Sequence, residues 1–196
     1  NIMKGYYNNP EANAEVFDGE WFKTGDLGRI DEDGYIHITG RKKEIYVSSG
    51  GKNVAPLVIE ETMKSIPVLS QFFLVGDGRK YCSALVTLDV GVILRDNLGM
   101  NPDKVPKDPI EQIEELERRG HKLSDFVESE EIRSDIESQI MELNKRFMNP
   151  EQVKKFTILP RDLNIDSGEL TPTLKIRRKQ IRENWADEIE AMYSDA

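Results

Sequence analysis

Three short clusters in this chain carry side chains whose types and spacing can do chemistry. The first is Thr24-Gly25-Asp26. An aspartate held after a glycine on a hairpin can accept two hydrogen bonds from a vicinal diol such as a ribose. It can equally satisfy the N–H groups of its own turn. The second is Gly40-Arg41-Lys42-Lys43. Three adjacent cations repel one another and favour an anion between them, and Arg41 can fork onto ribose or phosphate oxygens. The alternative is a basic strand edge that discourages aggregation. The third runs from Gly168 to Lys179, where four of the five residues 175–179 are basic. A proline-containing loop of small residues that delivers one lysine, Lys175, has the character of a mobile arm. Its ammonium group can neutralise charge developing on a transferring phosphoryl group. The alternative is the first turn of a helix, where each cation opposes the helix dipole by about a few tenths of a kcal/mol.

Other residues offer less. Ser48-Ser49-Gly50-Gly51 has the composition of a phosphate loop, but G-x-x-x-x-G-K-[ST] is absent. The lone thiol, Cys82, falls in an expected strand and reads as core rather than nucleophile. His121 reads as surface, and His37 alternates with apolar neighbours on the exposed side of a hairpin. No Ser-His-Asp arrangement is supported.

Composition narrows the classes. The chain has 196 residues, with 27 basic and 36 acidic side chains and a net charge of −9. That length suits one domain, or one domain and part of another. The acidic balance argues against a general nucleic-acid binder, whose phosphate contacts require positive charge. One cysteine and two histidines exclude an intrachain disulfide, a cysteine-rich zinc site and a histidine metal site. Carboxylate sites stay open. No run approaches the roughly 18 apolar residues of a membrane span. Asn1-Ile2-Met3-Lys4-Gly5 is neither a signal peptide nor an ordinary start, so a fragment of something longer is expected.

These clusters need elements to hold them, and the fold class expected is α/β (α+β). Residues 21–24 and 34–39 read as strands joined through Asp31-Glu32-Asp33-Gly34. Residues 44–47 read as a strand before the two-glycine loop. Pro56 opens a helix with Ile59, Met63 and Ile66 on one face, stopped by Pro67. Residues 71–76, 81–88 and 153–159 are expected to build one sheet, the first two as a hairpin. Between them come a short helix at 90–98, a loop at 101–109 and two acidic helices. Asp108-Pro109 caps the first, with Ile110, Ile113 and Leu116 inside; Ser129 caps the second, with Ile132, Ile136, Ile140, Leu143 and Phe147 at helical spacing. A last helix carries Ile181, Trp185, Ile189 and Met192 on one stripe.

Taken in order, the motifs resemble the C-terminal third of the adenylate-forming enzymes, a superfamily of acyl-CoA synthetases, peptide-synthetase adenylation domains and firefly luciferase. Gly19-Glu20-Trp21-Phe22-Lys23-Thr24-Gly25-Asp26-Leu27-Gly28 is similar to the segment around the ribose-binding aspartate. Gly34-Tyr35-Ile36-His37-Ile38-Thr39-Gly40-Arg41-Lys42-Lys43-Glu44-Ile45 resembles the inter-domain hinge motif, continued by Ser49-Gly50-Gly51-Lys52-Asn53-Val54-Ala55-Pro56 and then Ile59-Glu60. Leu170-Thr171-Pro172-Thr173-Leu174-Lys175 resembles the loop of the catalytic lysine, with Leu174 where many relatives carry glycine. That loop and the acidic stretch at about 100–150 resemble long-chain fatty-acid–CoA ligases most, including the bubblegum type.

The resemblance implies roles. Asp26 and Arg41 would bind the ribose or phosphate of ATP and acyl-AMP. Lys175 would be catalytic, and Lys43 would be the hinge. Gly50 and Gly51 would line the pantetheine tunnel of CoA, and no metal ligand is assigned. Residues 1–42 would be the tail of a large N-terminal domain absent from this chain. Residues 43–196 would be a mobile C-terminal lid with an acidic helical insertion. The partners implied are fatty acid, ATP, Mg²⁺ and CoA, with no nucleic acid. The setting implied is cytoplasmic, with peripheral membrane association of the whole enzyme open. The alternatives are a relative that loads a carrier protein or uses a shorter acid, and a non-catalytic interaction module.

Overall fold

The computed structural model describes residues 2–194. Its centre is a three-stranded sheet of β7 (Leu69–Val75), β8 (Cys82–Leu88) and β9 (Val153–Ile158), in the order β7-β8-β9. β7 and β8 are an antiparallel hairpin, whereas β8 and β9 run parallel. All three strands fall within a residue or two of their expected places.

The sheet is covered on both faces, which is why β8 is buried along its whole length and shows no polar alternation. Side chains nevertheless alternate between two cores. Phe72, Leu74, Ala84 and Val86 join one core with Ile59, Met63, Leu116 and Ile136. Phe73, Val75 and Leu85 join the other with Leu170, Ile181, Trp185 and Ile189.

A parallel pair needs a long crossover rather than a tight turn. Residues 89–152 provide it. They hold α3 (Val90–Val92) running into a π-helical turn, then α4 (Pro109–Arg118), α5 (Leu123–Val127) and α6 (Glu130–Asn144). The acidic helices are therefore this crossover, and their apolar stripe of Leu116, Ile132, Ile136 and Ile140 builds the first core. Asp108 and Ser129 cap α4 and α6 as expected, each side chain accepting from backbone N–H groups of the first turn.

Four expectations need correction. The strand pairing with residues 36–41 is not 21–24 but β3 (Asp26–Ile30), with β4 at Ile36–Arg41. A tight turn joins the strands next to it, and Asp31 fixes that turn by accepting from the N–H groups of Asp33 and Tyr35. Trp21–Phe22 (β2) instead pairs with Phe17–Asp18 (β1), after a helix α1 (Pro10–Val16) that was overlooked although Asn9-Pro10 is a cap and first-turn signal. Residues 44–47 are only partly strand: a 3₁₀ turn at Lys42–Glu44 leads to β5 (Tyr46–Val47), which pairs with β6 (Asn53–Val54). Ile110 is 71% exposed, because it sits in the first turn of α4 and projects past the core that Leu116 reaches. The last helix is two, α7 (Arg178–Asn184) and α8 (Ala186–Ala191), broken where Trp185 leaves helical dihedrals. All four stripe residues are still buried. The helix opened by Pro56 is α2 (Pro56–Met63), with Ile59, Met63 and Ile66 buried.

Candidate functional site

The β3–β4 ladder sets Asp26 directly opposite Arg41. Arg41 Nε accordingly donates to Asp26 Oδ1 at 3.0 Å, leaving Asp26 Oδ2 without a partner among the described residues. β4 packs beside α2, so this pair faces an open cleft of about 340 Å³. Lys175 reaches the same cleft from the other end of the sequence. Three residues singled out from separate motifs, Asp26, Arg41 and Lys175, thus line one cavity.

The segment that carries Lys175 is a tight, bonded turn rather than a loose loop. Leu170 and Ile176 form an antiparallel bridge. Thr171 N–H donates to the Lys175 carbonyl at 2.9 Å, and Lys175 N–H donates to Thr171 Oγ1 at 3.0 Å. The reversal is completed at Leu174, whose φ is +58°. That region costs a residue with a Cβ about 1–2 kcal/mol and suits glycine. Leu174→Gly is therefore expected to stabilise the chain by about 1 kcal/mol, read as a higher urea midpoint. A lower midpoint would refute strain at this position. The Lys175 ammonium group pairs with no carboxylate among the described residues.

Both roots of this turn are anchored by buried carboxylates, Glu169 and Glu60, to which sequence reasoning gave no role. At the first, Glu169 is fully buried and accepts from Arg161 at 2.7 and 2.9 Å, Ser167 Oγ at 2.8 Å and Trp185 Nε1 at 2.8 Å. Burial opposes its charge, but Arg161 and the other donors outweigh that and hold its pKa down to about 2. At the second, Arg178 forks onto Glu60 at 2.8 and 2.6 Å. Arg178 Nε also donates to Glu44 at 3.1 Å. Burial works against the Arg178 charge, yet Glu60 above all raises its pKa beyond the usual arginine value. The basic run at 175–179 thus has a mixed explanation. Arg178 begins α7 and is offset by Glu60 and Glu44, whereas Lys175 precedes the helix. The available signal was Glu60 itself, a carboxylate flanked by Ile59 and three residues before Met63 on an apolar helix.

The remaining candidates lie apart from the cleft. Gly50 and Gly51 form the exposed turn between β5 and β6, with Gly51 at φ +73° and its N–H donating to the Ser48 carbonyl. Lys43 lies on the 3₁₀ turn after β4, its ammonium group 3.6 Å from Glu15. It borders a second cavity of about 290 Å³ that shares Glu44, Ile176 and Arg178 with the first. Cys82 is buried, and burial pushes its thiol up to about 11, which suits core and not a nucleophile. His37 is exposed and 2.6 Å from Asp31; His121 is half-buried with its ring against Phe126. Among the described residues no group of three or more His, Cys, Asp or Glu could hold a metal ion, and no helix is long and apolar enough to cross a membrane.

Comparison with known proteins places the chain in a family. The chain is 38% identical over 198 residues to the long-chain-fatty-acid–CoA ligase FadD15 of Mycobacterium tuberculosis, covering 98% of this chain and 30% of that protein. It is 35% identical to the long-chain-fatty-acid–CoA ligase ACSBG2 of Gallus gallus, covering 100% and 26%. The chain thus spans under a third of these relatives' length. Among solved structures, it resembles the A domain of carboxylic acid reductase from Segniliparus rugosus, solved with AMP and a co-purified carboxylic acid. There the TM-score is 0.70 at 23% identity, covering 99% of this chain and 27% of the other. The o-succinylbenzoate CoA synthetase of Bacillus subtilis, solved with AMP, gives a TM-score of 0.54 at 21% identity, covering 92% and 28%. These two likenesses establish the fold. The family model described as the AMP-binding enzyme C-terminal domain matches residues 43–124 and 116–196, and the chain belongs to that family.

Proposed function

We propose that this chain is the C-terminal portion of an AMP-forming long-chain fatty-acid–CoA ligase. The observation that carries the proposal is the meeting of Asp26, Arg41 and Lys175 in one cleft. The relatives' names supply the substrate class.

In this reading the reaction has two steps. A carboxylate oxygen of the acid attacks the α-phosphorus of ATP; the new P–O bond forms as pyrophosphate leaves. The CoA thiol then attacks the acyl carbon of acyl-AMP, a C–S bond forms and AMP departs. Asp26 accepts the ribose hydroxyls through its unpaired Oδ2, and Arg41 steadies that carboxylate while offering its remaining N–H groups to ribose or phosphate oxygens. Lys175 lowers the repulsion between two anionic reactants. Mg²⁺, held by the whole enzyme, would offset more phosphate charge; the described residues here lack a cluster to hold it.

Residues 1–42 are assigned to the edge of a large domain and 43–196 to a swinging small domain, with Lys43 absorbing the turn. Lys43 is exposed on a short 3₁₀ turn where the β3–β4 hairpin gives way to the segments that follow, and that position supports the assignment. In the present arrangement the lysine turn occupies the cleft, and the Gly50-Gly51 turn lies away from it. A swing would withdraw Lys175 and bring the glycines to the pantetheine arm of CoA. A cytoplasmic location with peripheral membrane contact belongs to the same proposal.

The test is made on the whole protein. It should catalyse ATP–pyrophosphate exchange that depends on hexadecanoate, and form acyl-CoA when CoA is added. Asp26→Asn should raise the KM for ATP about tenfold, since a charge-assisted hydrogen bond is lost. No exchange with any long-chain acid would overturn the reading. The purified 196 residues alone should make no acyl-CoA, and detectable synthesis would overturn the division of labour between the two parts.

A further inference from the structure

The Lys175 turn is attached to the rest of the chain by one side chain in particular. Arg178 follows Lys175 by three residues and is the first residue of α7. Its side chain is 15% exposed and reaches three elements at once. It forks onto Glu60 of α2, donates to Glu44 of the 3₁₀ turn beside Lys43, and lies 3.4 Å from the Tyr46 hydroxyl of β5. Its guanidinium also covers the ring of Phe73 in β7, 5.4 Å from the centroid. Glu60, itself 4% exposed, is fixed in turn by the Leu74 N–H at 2.9 Å.

We propose that Arg178 is a positioning residue that holds Lys175 at the reacting phosphate, with Glu60 as its anchor. The inference deepens the functional reading above and rests on it. Stability alone is a weak reason for such a pair. A buried ion pair often gains nothing over apolar residues of the same volume, because desolvation cancels the attraction. What the pair supplies is direction. A planar fork bound at two points to a carboxylate that is itself bound to the sheet leaves the following backbone little freedom. An ammonium group at 178 would keep the charge and lose the two-point attachment. Misplacing a reacting group by about 1 Å can cost about a hundredfold in rate. The attachment to Glu44 also ties the lysine turn to the segment where the hinge is assigned. A swing of residues 43–196 would then carry Lys175 as a rigid part of the moving body.

Arg178→Lys in the whole enzyme tests this, with amide hydrogen exchange and the two half-reactions measured together. Exchange across residues 170–177 should accelerate about tenfold or more, with β8 unchanged as the sign of an intact core. Acyl-AMP formation should fall about thirtyfold, and thioester formation from supplied acyl-AMP should stay within about twofold. In a Lys175→Ala background the same change should cost nothing further, because the group it positions is gone. Glu60→Gln, which keeps an acceptor for Leu74 N–H, should give the same pattern more weakly. Unchanged exchange in 170–177, equal loss in both half-reactions, or a full further loss in the Lys175→Ala background would each overturn the inference. If Lys175→Ala itself slows both half-reactions alike, the functional reading fails separately. Arm exchange in Arg178→Lys then judges the attachment by itself.

Discussion

Lys175→Ala is expected to slow acyl-AMP formation by about a hundredfold or more while leaving thiolysis of supplied acyl-AMP within about twofold. The asymmetry follows from where charge moves. In the first step a carboxylate approaches a polyphosphate, and negative charge builds on the oxygens around the α-phosphorus. An ammonium group brought beside that phosphate by its turn stabilises the charge with little reorganisation at the moment of reaction. In the second step the electrophile is an acyl carbon, and in the proposed swing Lys175 has been withdrawn from the phosphate that gains charge as AMP leaves. Lys175 has no paired carboxylate among the described residues and shares its cleft with Asp26 and Arg41, so its charge is available to an incoming anion. Lys175→Arg should recover part of the first step, since charge is kept and geometry changes. Measuring each half-reaction separately is decisive: equal losses in both would remove Lys175 from the role assigned to it.

Glu169→Gln is expected to destabilise the chain by about 3 kcal/mol, measured by urea unfolding at pH 7. The carboxylate is fully buried and is met by the Arg161 fork, Ser167, Asn184 and the Trp185 indole N–H. The amide of glutamine would set N–H donors against these donors and strand the Arg161 charge. The same residue predicts a pH dependence. Glu169 is held at about 2 in the folded chain against an ordinary 4.5. As pH falls below 4.5 the unfolded chain takes up the proton first, so acid draws the equilibrium toward unfolding. The shift corresponds to about 3 kcal/mol, present above pH 4.5 and lost progressively down to about pH 2. Wild type should therefore lose stability across that window, and the gap to Glu169→Gln should close there. A substitution costing under about 1 kcal/mol would show the carboxylate to be dispensable, and a gap that stays constant in acid would show that its ionisation is not what stabilises the fold.

Much of this architecture was legible in the residues, for reasons that also explain the failures. β7, β8 and β9 are rich in β-branched and aromatic residues bounded by turn signals, and α6 keeps strict helical spacing. The β3–β4 hairpin was misplaced because Asp-Leu-Gly-Arg-Ile is exposed along its length and has no apolar rhythm to read. The turn at Asp31-Glu32-Asp33-Gly34, held by local bonds to Asp31, was legible, but not which segment enters it as a strand. The break at Trp185 was invisible because the apolar stripe runs straight through it. At the site, Asp26, Arg41 and Lys175 stood out as chemistry in loops and strand ends, but their convergence depends on β4 packing against α2. Glu60, Arg178 and Glu169 were given no role for a complementary reason. A charged residue in a sequence reads as solvated, and only three dimensions show which ones have lost their water.

The two-sided burial of the central sheet has a consequence for how this protein can diverge. The crossover helices meet one surface of β8, while the lysine turn and the last two helices meet the opposite surface. Among the described residues none from α4 or α6 lines the cleft of Lys175, and it is the buried stripe of α6, not its acidic side, that meets α2, whose Glu60 does. Sequences can recharge or extend the solvent-facing sides of α4 and α6, and gain new neighbours there, without touching the cleft.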